Sequence, residues 1–180
     1  VSQTMEHFLG CHQNAFRFLG SVPQKIMVDN LKSAVLKRTI GKDPVFNPRY
    51  MDFARHYGFK IVPCNVGKGN EKGIVENAVG YIKKNLLNGF VIPDFKVIGP
   101  VAKHWLDTIA NERTHGQTGQ KPTDMFSKEK PFLKPLPQAP YDIGQVKPMR
   151  ASRQFRVTID TNHYSVPAQL AGVRMTVKTY

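Results

Sequence analysis

The sequence predicts a mixed α/β domain over residues 1–130, a proline-rich linker over 131–148 and a small β-module over 149–180. Three observations support this architecture. In the first part, segments with apolar residues at helical spacing alternate with short apolar runs of strand length. Five of the 13 prolines fall within 131–148, which is typical of an extended linker. Beyond the linker the apolar period changes to two, as in β-strands.

The first helix and the first strand are separated by a turn. Residues 2–19 carry apolar side chains at helical spacing and are predicted to form a helix. After a turn at 20–23, the run KIMVDN has strand length and ends in Asp29 and Asn30. The carboxylate of Asp29 is therefore expected at the end of a strand, exposed at the edge of a sheet.

A second helix and strand follow. Asn47 and Pro48 are typical of an N-cap and a first-turn proline, and Gly58 of a helix end. Four residues of this helix are predicted to be buried: Tyr50, Phe53, Ala54 and Tyr57. FKIVPC, residues 59–64, is the second predicted strand. We expect a flexible, basic loop over 65–73, since it contains three glycines.

A longer helix is predicted from about Lys72, because apolar residues fall at i, i+4, i+7 and i+11. This spacing predicts one buried stripe, made of Val75, Val79, Ile82 and Leu86. On the neighbouring face, a carboxylate is flanked by two ammonium groups and a glycine gap in the order Lys72, Glu76, Gly80 and Lys83. The gap would let a backbone approach the helix closely.

The remaining elements are one helix and the β-module. A helix over about 100–113 is predicted to pack Val101, Trp105, Leu106 and Ile109. Apolar and polar residues alternate over 155–160 and 173–178, which predicts strands. Only about three strands are expected, whereas a small closed barrel usually needs about five or more. The β-module is therefore predicted to be a truncated small β-barrel.

The chain is strongly basic, with 26 Lys and Arg against 13 Asp and Glu and a net charge of +13. The excess is even: 13 basic and 6 acidic residues lie in the first 90, and 13 basic and 7 acidic in the last 90. This distribution favours a protein that contacts a long phosphate backbone along much of its length. The alternative is a merely basic soluble surface.

Cysteine usage and hydropathy exclude several classes of protein. Cys11 and Cys64 are too few for a disulfide scaffold and lack the paired spacing of a zinc site. His7, Cys11 and His12 share one stretch of helix, but no fourth ligand accompanies them. No apolar run approaches the length of a membrane span, and no signal peptide opens the chain. The sequence therefore predicts a protein of a reducing compartment without membrane contact.

Two carboxylates in this pattern suit a divalent metal. Asp29 closes a predicted strand and Glu76 lies near the start of a predicted helix. Mg²⁺ prefers oxygen ligands and needs only one or two carboxylates together with substrate phosphates. Two such ions can promote in-line displacement at a phosphodiester. Spacing alone leaves other pairs possible, because the chain has eight Asp and five Glu.

Five segments in fixed order carry a family resemblance. They are VDNLKSAV at 28–35, HYGFKIVPC at 56–64, KGIVENAVGYIKKNLL at 72–87, NERTHGQTGQKPTDMF at 111–126 and NHYSVPAQLAGVRMTV at 162–177. Together they resemble the integrase-core (DDE) transposases of two-gene bacterial insertion sequences, the IstA type. The resemblance runs over nearly the whole chain.

The resemblance implies a ribonuclease-H-like catalytic core with Asp, Asp and Glu as metal ligands. Asp29 and Glu76 match the second Asp and the Glu, with 46 residues between them. The first Asp has no counterpart, and its strands are expected before Val1, so this fragment alone is expected to be inactive. The implied cofactor is Mg²⁺ or Mn²⁺, as two ions. The implied partners are DNA at element ends and target, further copies on DNA and a helper AAA+ ATPase, in the bacterial cytoplasm at the nucleoid.

Basic residues are the candidates for phosphate contact. Lys68, Lys72, Lys83 and Lys84 surround the glycine loop and Glu76, and Arg113 and His115 precede a turn. In the β-module the candidates are Arg153, Arg156, Arg174 and Lys178. Such contacts position DNA rather than read its sequence. The alternatives are a solvated helix face for the lysines and a helix cap for Arg113 and His115.

Three classes of function remain open: a metal-dependent transposase, a non-catalytic basic nucleic-acid-binding protein, and the remnant of a decayed transposase. The second accounts for the charge but not for the VDN and KGIVEN contexts of the two carboxylates. A tyrosine recombinase based on Tyr164 is not favoured, because that residue lies in an alternating strand and lacks the Arg and His cluster such an enzyme needs. We expect Trp105 and Phe126 to be core residues rather than base-stacking platforms.

Overall fold

The computed structural model of this chain describes residues 4–29, 31, 33–37, 43–64, 69–89, 91 and 94–179, with the side chains of 69–72 and 74 excepted. The chain forms two compact units. One comprises Ala15–Gln138, and the other comprises Val1–Asn14 with Ala139–Tyr180. None of the described helices is long and apolar enough to cross a bilayer.

The architecture is mixed α/β with small sheets. Helices α1 to α5 span Met5–Leu19, Pro48–Tyr57, Gly69–Ile82, Ile98–Trp105 and Pro122–Glu129. Strands β1 to β4 span Lys25–Val28, Val35–Lys37, Val45–Phe46 and Lys60–Pro63, and β5 to β8 span Gln145–Arg150, Arg156–Ile159, Asn162–Ser165 and Arg174–Thr179. Single π-helical turns, Lys83–Leu87 and Leu106–Ala110, extend α3 and α4.

Strands β1 and β4 form a parallel pair, in register from Lys25 opposite Lys60 to Val28 opposite Pro63. The Cys64 amide extends the ladder by donating to the Val28 carbonyl at 2.9 Å. Helix α2 lies between the two strands in sequence, as a parallel connection requires. The prediction of a strand that ends at Asp29 is confirmed, so Asp29 follows the carboxyl end of this pair.

The structure confirms the predicted start, end and buried residues of helix α2. The Asn47 side chain accepts from the Arg49 amide at 3.0 Å, and Gly58 adopts the left-handed conformation at φ 73°. The four predicted residues are buried, and Tyr50, Phe53 and Tyr57 pack with Phe16 of α1 and Phe59 before β4. Ring centroids in this aromatic core lie 4.7 to 6.3 Å apart. The core joins both helices to the parallel pair.

Helix α3 differs from the prediction in two ways. It begins at Gly69 rather than at Lys72, so residues 69–73 are helical; residues 65–68 of the predicted loop lie outside the described part. Three of the four residues of the predicted stripe are exposed, Val75 at 64%, Val79 at 44% and Ile82 at 40%, whereas Leu86 is half-buried. The helix packs instead through Tyr81, whose ring lies 5.4 Å from that of Trp105.

The helix that contains α4 confirms part of its prediction. Trp105 is buried, and Val101 and Leu106 are half-buried. Ile109, however, is 54% exposed, so it does not pack as predicted. The π-helical turn that begins at Leu106 changes the residue spacing, which explains why a regular 3.6-residue pattern misplaced Ile109.

The β-module contains four described strands. β5 pairs antiparallel with β8, and β6 with β7, as two separate two-stranded sheets. The described strands therefore do not close into a barrel. Part of the predicted linker is ordered: Lys134 forms an isolated bridge with Val22, and 145–148 belong to β5. The domain boundaries and the ribonuclease-H-like core remain predictions.

Candidate nucleic-acid interface

Asp29 occupies a position typical of functional residues in α/β folds. It follows β1 directly, its side chain is exposed, and its carbonyl accepts from the Leu31 amide at 2.7 Å. Ligands of open α/β sheets bind outside the carboxyl ends of parallel strands. Asp29 is thus at the end of the parallel pair where binding is expected.

Glu76 lies in the second turn of α3 and is exposed. On the same side of the helix follow Gly80, which is half-buried, and Lys83, which is exposed in the π-helical turn. A methyl group added at Gly80 would meet no atom within 4 Å. The described part of the Lys72, Glu76, Gly80 and Lys83 face is therefore open, as the predicted gap requires.

Within the described part of the chain, acidic, histidine and cysteine side chains form no larger cluster of potential metal ligands. Among the residues that the structure describes, no group of three or more could hold a metal ion. A metal shared by Asp29 and Glu76 stays a prediction. The carboxylate oxygens of such a pair are of the type that Mg²⁺ prefers when DNA phosphates complete its coordination.

The lysines predicted to contact DNA near Glu76 are only partly described. Lys83 and Lys84 are exposed on the π-helical turn after α3. Lys68 lies outside the described residues, and only the backbone of Lys72 is described. Because both side chains are exposed, this pair is accessible to DNA phosphates.

Arg113 and His115 line an open groove of about 910 Å³ between α3, the end of α4 with its π-helical turn, and the turn that follows. The Arg113 guanidinium carbon lies 3.5 Å from the centroid of the Tyr81 ring, a cation–π contact. Arg113 Nη1 and His115 Nδ1 are buried, and within the described part of the chain neither has a hydrogen-bond partner.

The turn that carries Arg113 and His115 is held by its neighbours. Thr123 Oγ1 donates to Glu112 Oε1 at 2.9 Å, and Lys121 Nζ lies 3.1 Å from Glu112 Oε2. The Thr123 amide also donates to the Asn111 carbonyl at 3.1 Å. The hydrogen bond from Thr123, followed by the bond and charge of Lys121, lowers the pKa of the Glu112 carboxyl below its usual 4.5.

The four basic residues predicted in the β-module are all exposed. Arg174 lies directly opposite Arg150 in the β5–β8 sheet, and Lys178 lies on the same face four pairs away. Arg150 Nε donates to the Gly172 carbonyl at 2.6 Å, and Lys178 contacts the Asp142 carboxylate. The sheet therefore has a basic exposed face, whereas Arg156 belongs to the β6–β7 sheet and Arg153 to the turn before it.

One family model and several known proteins are similar to this chain, and all of them are described as transposases. Residues 136–180 match the family model of the Mu transposase, C-terminal domain. A putative transposase for insertion sequence element IS5376 from Geobacillus stearothermophilus is 29% identical over 99% of this chain and 44% of its own length. The transposase for insertion sequence element IS21 from Pseudomonas aeruginosa is 31% identical over 98% of this chain and 45% of its own.

The resemblance to insertion-sequence transposases is confirmed. A third relative, the transposase for an IS21-like element from Bacteroides fragilis, is 32% identical over 87% of this chain. The chain spans 30% to 45% of the length of these three transposases. Both parts of the chain share in the similarity, because two of the alignments cover almost all of it.

Two residues of this transposase-like chain were missed by sequence reasoning. Tyr81 carries the cation–π contact to Arg113. In the sequence it is one aromatic residue within a predicted helix, which is also typical of an ordinary packing residue. Arg150 faces Arg174 across the β5–β8 sheet. Proline at 148 obscured the strand that contains Arg150, since proline within a run argues against a strand interior.

Proposed function

We propose that this chain is part of a DNA transposase that cuts DNA at the ends of a mobile element and joins them to target DNA. The similarity to insertion-sequence transposases over nearly the whole chain carries the proposal. The position of Asp29 at the carboxyl end of a parallel strand pair supports it, because a carboxylate there is available to a ligand at the sheet edge. A ribonuclease-H-like core is part of the proposal.

The proposed cofactor is Mg²⁺ or Mn²⁺, as two ions, with Asp29 and Glu76 among the ligands. Both residues are exposed and offer hard oxygen donors. A bound pair of ions supplies activation of the attacking oxygen and stabilisation of the leaving one. Water, DNA phosphates and further residues would complete the coordination of the ions. The described residues provide no cluster of three or more potential metal ligands.

The proposed reaction has two phosphoryl-transfer steps. Water first attacks a phosphodiester at the element end, and the strand breaks to leave a free 3′ hydroxyl. That hydroxyl then attacks a target phosphodiester, joining the element strand to target DNA and releasing a second 3′ hydroxyl. The chain's own residues position these groups: Lys83 and Lys84 contact phosphates, and the open surface at Gly80 admits the DNA backbone beside Glu76.

The proposed partners follow from the same activity. The basic face of the β5–β8 sheet, with Arg150, Arg174 and Lys178, would position DNA by phosphate contacts. Lys68, Lys72, Arg153 and Arg156 belong to the same proposed set. Assembly of several copies on DNA, help from an AAA+ ATPase and a place at the bacterial nucleoid in the cytoplasm complete the proposal.

The decisive experiment replaces each proposed ligand in the full-length transposase. Asp29→Asn and Glu76→Gln should reduce Mg²⁺-dependent strand joining to background, because an amide oxygen binds a divalent ion weakly, while binding of element ends stays within about two-fold. The matched controls are Asp52→Asn on the exposed side of α2 and Glu129→Gln at the end of α5. Joining that survives in either ligand variant, or is lost equally in the controls, would contradict the assignment.

A further inference from the structure

The groove beside Tyr81 is lined by both apolar and polar side chains. The apolar ones include Ile82, Leu106 and Ala110. The polar ones include the basic pair Arg113 and His115 and the amide side chains of Asn77 and Gln117. An apolar groove with a few polar groups at defined places is the usual form of a ligand site, and about 910 Å³ lies within the usual size range.

The basic pair of the groove, Arg113 and His115, has unsatisfied nitrogens within the described part of the chain. Arg113 Nη1 and His115 Nδ1 are buried, and among the described residues neither has a hydrogen-bond partner. The adjacent carboxylate, Glu112, is already bonded to Thr123 and Lys121. A buried guanidinium nitrogen without a partner costs free energy, and an unsatisfied group of this kind in a groove indicates a site for a ligand atom.

Contacts within the protein also hold Arg113 and the turn beside it in place. Arg113 is stacked on Tyr81, and the flanking turn is fixed by the bonds of Thr123 to Asn111 and Glu112. The His115 amide donates to the Gln120 carbonyl at 3.0 Å, and the Gly119 amide to the His115 carbonyl at 2.8 Å. A site whose donors need no further ordering loses less entropy on binding.

We propose that this groove binds one unpaired nucleotide of a DNA strand, with its phosphate at Arg113 and His115 and its base against the apolar wall. This inference rests on the proposed function, since it takes DNA as the ligand. A phosphate oxygen would accept hydrogen bonds from Arg113 Nη1 and from an imidazole N–H of His115. Asn77 and Gln117 offer amide donors and acceptors to a base edge, as amide side chains do in nucleotide recognition.

The shape of the groove favours an unpaired nucleotide over duplex DNA. A base within a duplex is covered by its neighbours and its partner, so it cannot lie against Ile82 and Leu106 unless it leaves the stack. Single strands are bound by the combination found in this groove, a cationic contact to the backbone and an apolar surface for the base. The groove would therefore hold a frayed or single-stranded end rather than a paired segment.

Fluorescence anisotropy with the 180-residue chain tests this proposal. The probes are a labelled five-nucleotide single strand and a labelled hairpin duplex with the same sequence in its stem. Arg113→Gln should weaken single-strand binding about ten-fold or more, because a charge-assisted hydrogen bond is lost, and should change duplex binding less than three-fold. Arg55→Gln is the matched control, since its side chain is 76% exposed on α2, and it should leave single-strand binding unchanged.

Thermal unfolding separates a binding role of Arg113 from a structural one. Arg113→Gln should keep or raise Tm, because it removes a buried nitrogen, Nη1, that has no hydrogen-bond partner among the described residues. If Tm falls, Gln117→Trp, which fills the groove from the exposed turn, decides: it should also weaken single-strand binding about ten-fold without changing Tm. Unchanged single-strand binding in Gln117→Trp would overturn the proposal.

Three further outcomes would also overturn it. They are unchanged single-strand binding in Arg113→Gln, an equal loss of duplex binding, and displacement of the single strand by an acidic peptide at lower concentration than by unlabelled oligonucleotide. The last would assign the groove to a protein partner. None of these results affects the test of Asp29 and Glu76 by strand joining, so failure of the groove proposal and failure of the proposed function can be told apart.

Discussion

Helices α2 and α3 are both amphipathic by sequence, yet they differ in how far their apolar faces are buried. On α2 the predicted apolar residues are buried, with Tyr50 and Phe53 fully so, and they pack in the aromatic core with Phe16 and Phe59. On α3 three of the four residues of the predicted stripe are exposed, and Val75 is 64% accessible. Periodicity therefore identifies which face of a helix is apolar but does not establish that another element covers it.

The difference follows from what each helix can pack against. Helix α2 precedes β4 in sequence, and β4 pairs with β1. The helix ends in a glycine cap, after which Phe59 enters the aromatic core. Helix α3 contacts the α4 segment through Tyr81 and Trp105, and both residues line the open groove. The apolar stripe and the face with Glu76 both remain accessible, and this leaves the second face open to a nucleic acid.

The largest expected effect tests whether the apolar faces of α2 and α3 contribute differently to the free energy of unfolding. Phe53→Ala should lower the free energy of unfolding by about 3–5 kcal/mol, because it leaves a cavity in a closely packed core. Val79→Ala should change it by no more than about 0.5 kcal/mol, because the side chain is 44% exposed. Urea unfolding of the 180-residue chain, followed by far-UV circular dichroism, measures both. Similar losses in the two variants would contradict the comparison.

A smaller effect is expected from two glycines on the same helices. Gly58→Ala should destabilise the chain by about 1–2 kcal/mol, because φ at this position is 73° and a β-carbon is strained there. Gly80→Ala should stabilise it by about 0.5–1 kcal/mol, because alanine is the better helix residue and nothing lies within 4 Å. Thermal unfolding gives both signs.

The glycine pair also tests the surface beside Glu76. If the gap at Gly80 admits a DNA backbone, Gly80→Ala should weaken strand joining by the full-length transposase although the variant is more stable. Gly99→Ala is the matched control, since a methyl group there also meets nothing within 4 Å, and it lies on α4. Joining by Gly80→Ala that equals the control would show that DNA does not approach α3 at this point.

The smallest expected effect is a pH dependence confined to the turn beside the groove. The pKa of Glu112 is lowered, so its bonds to Thr123 and Lys121 stabilise the turn above the usual pKa and are lost as pH falls below about 4.5. Hydrogen exchange at the Thr123 amide should be faster in Glu112→Gln than in the parent chain at pH 6, and this difference should shrink as pH falls below about 4.5. Glu129→Gln is the control. A difference that does not change with pH would contradict this origin.

Local signals predicted a large part of the fold. The cap at Asn47, the end at Gly58 and the strand before Asp29 are properties of short segments, because side-chain capping and left-handed glycine depend on few neighbours. The β-module was predicted as strands from its period of two, but β5 was assigned to the linker. Its pairing with β8 connects residues about thirty positions apart, and proline at 148 masked the pattern.

The candidate sites show the same division. Composition and motif order alone determined that this chain is basic and resembles insertion-sequence transposases, and they selected Asp29 and Glu76 as candidate ligands. The tertiary structure decided that Tyr81 rather than Val75 packs α3. It also decided that Arg113 and His115 line a groove with buried nitrogens that have no hydrogen-bond partner among the described residues. The physical reason is that residue type and spacing define the chemistry and local geometry of a segment, whereas burial and pairing depend on segments distant in sequence.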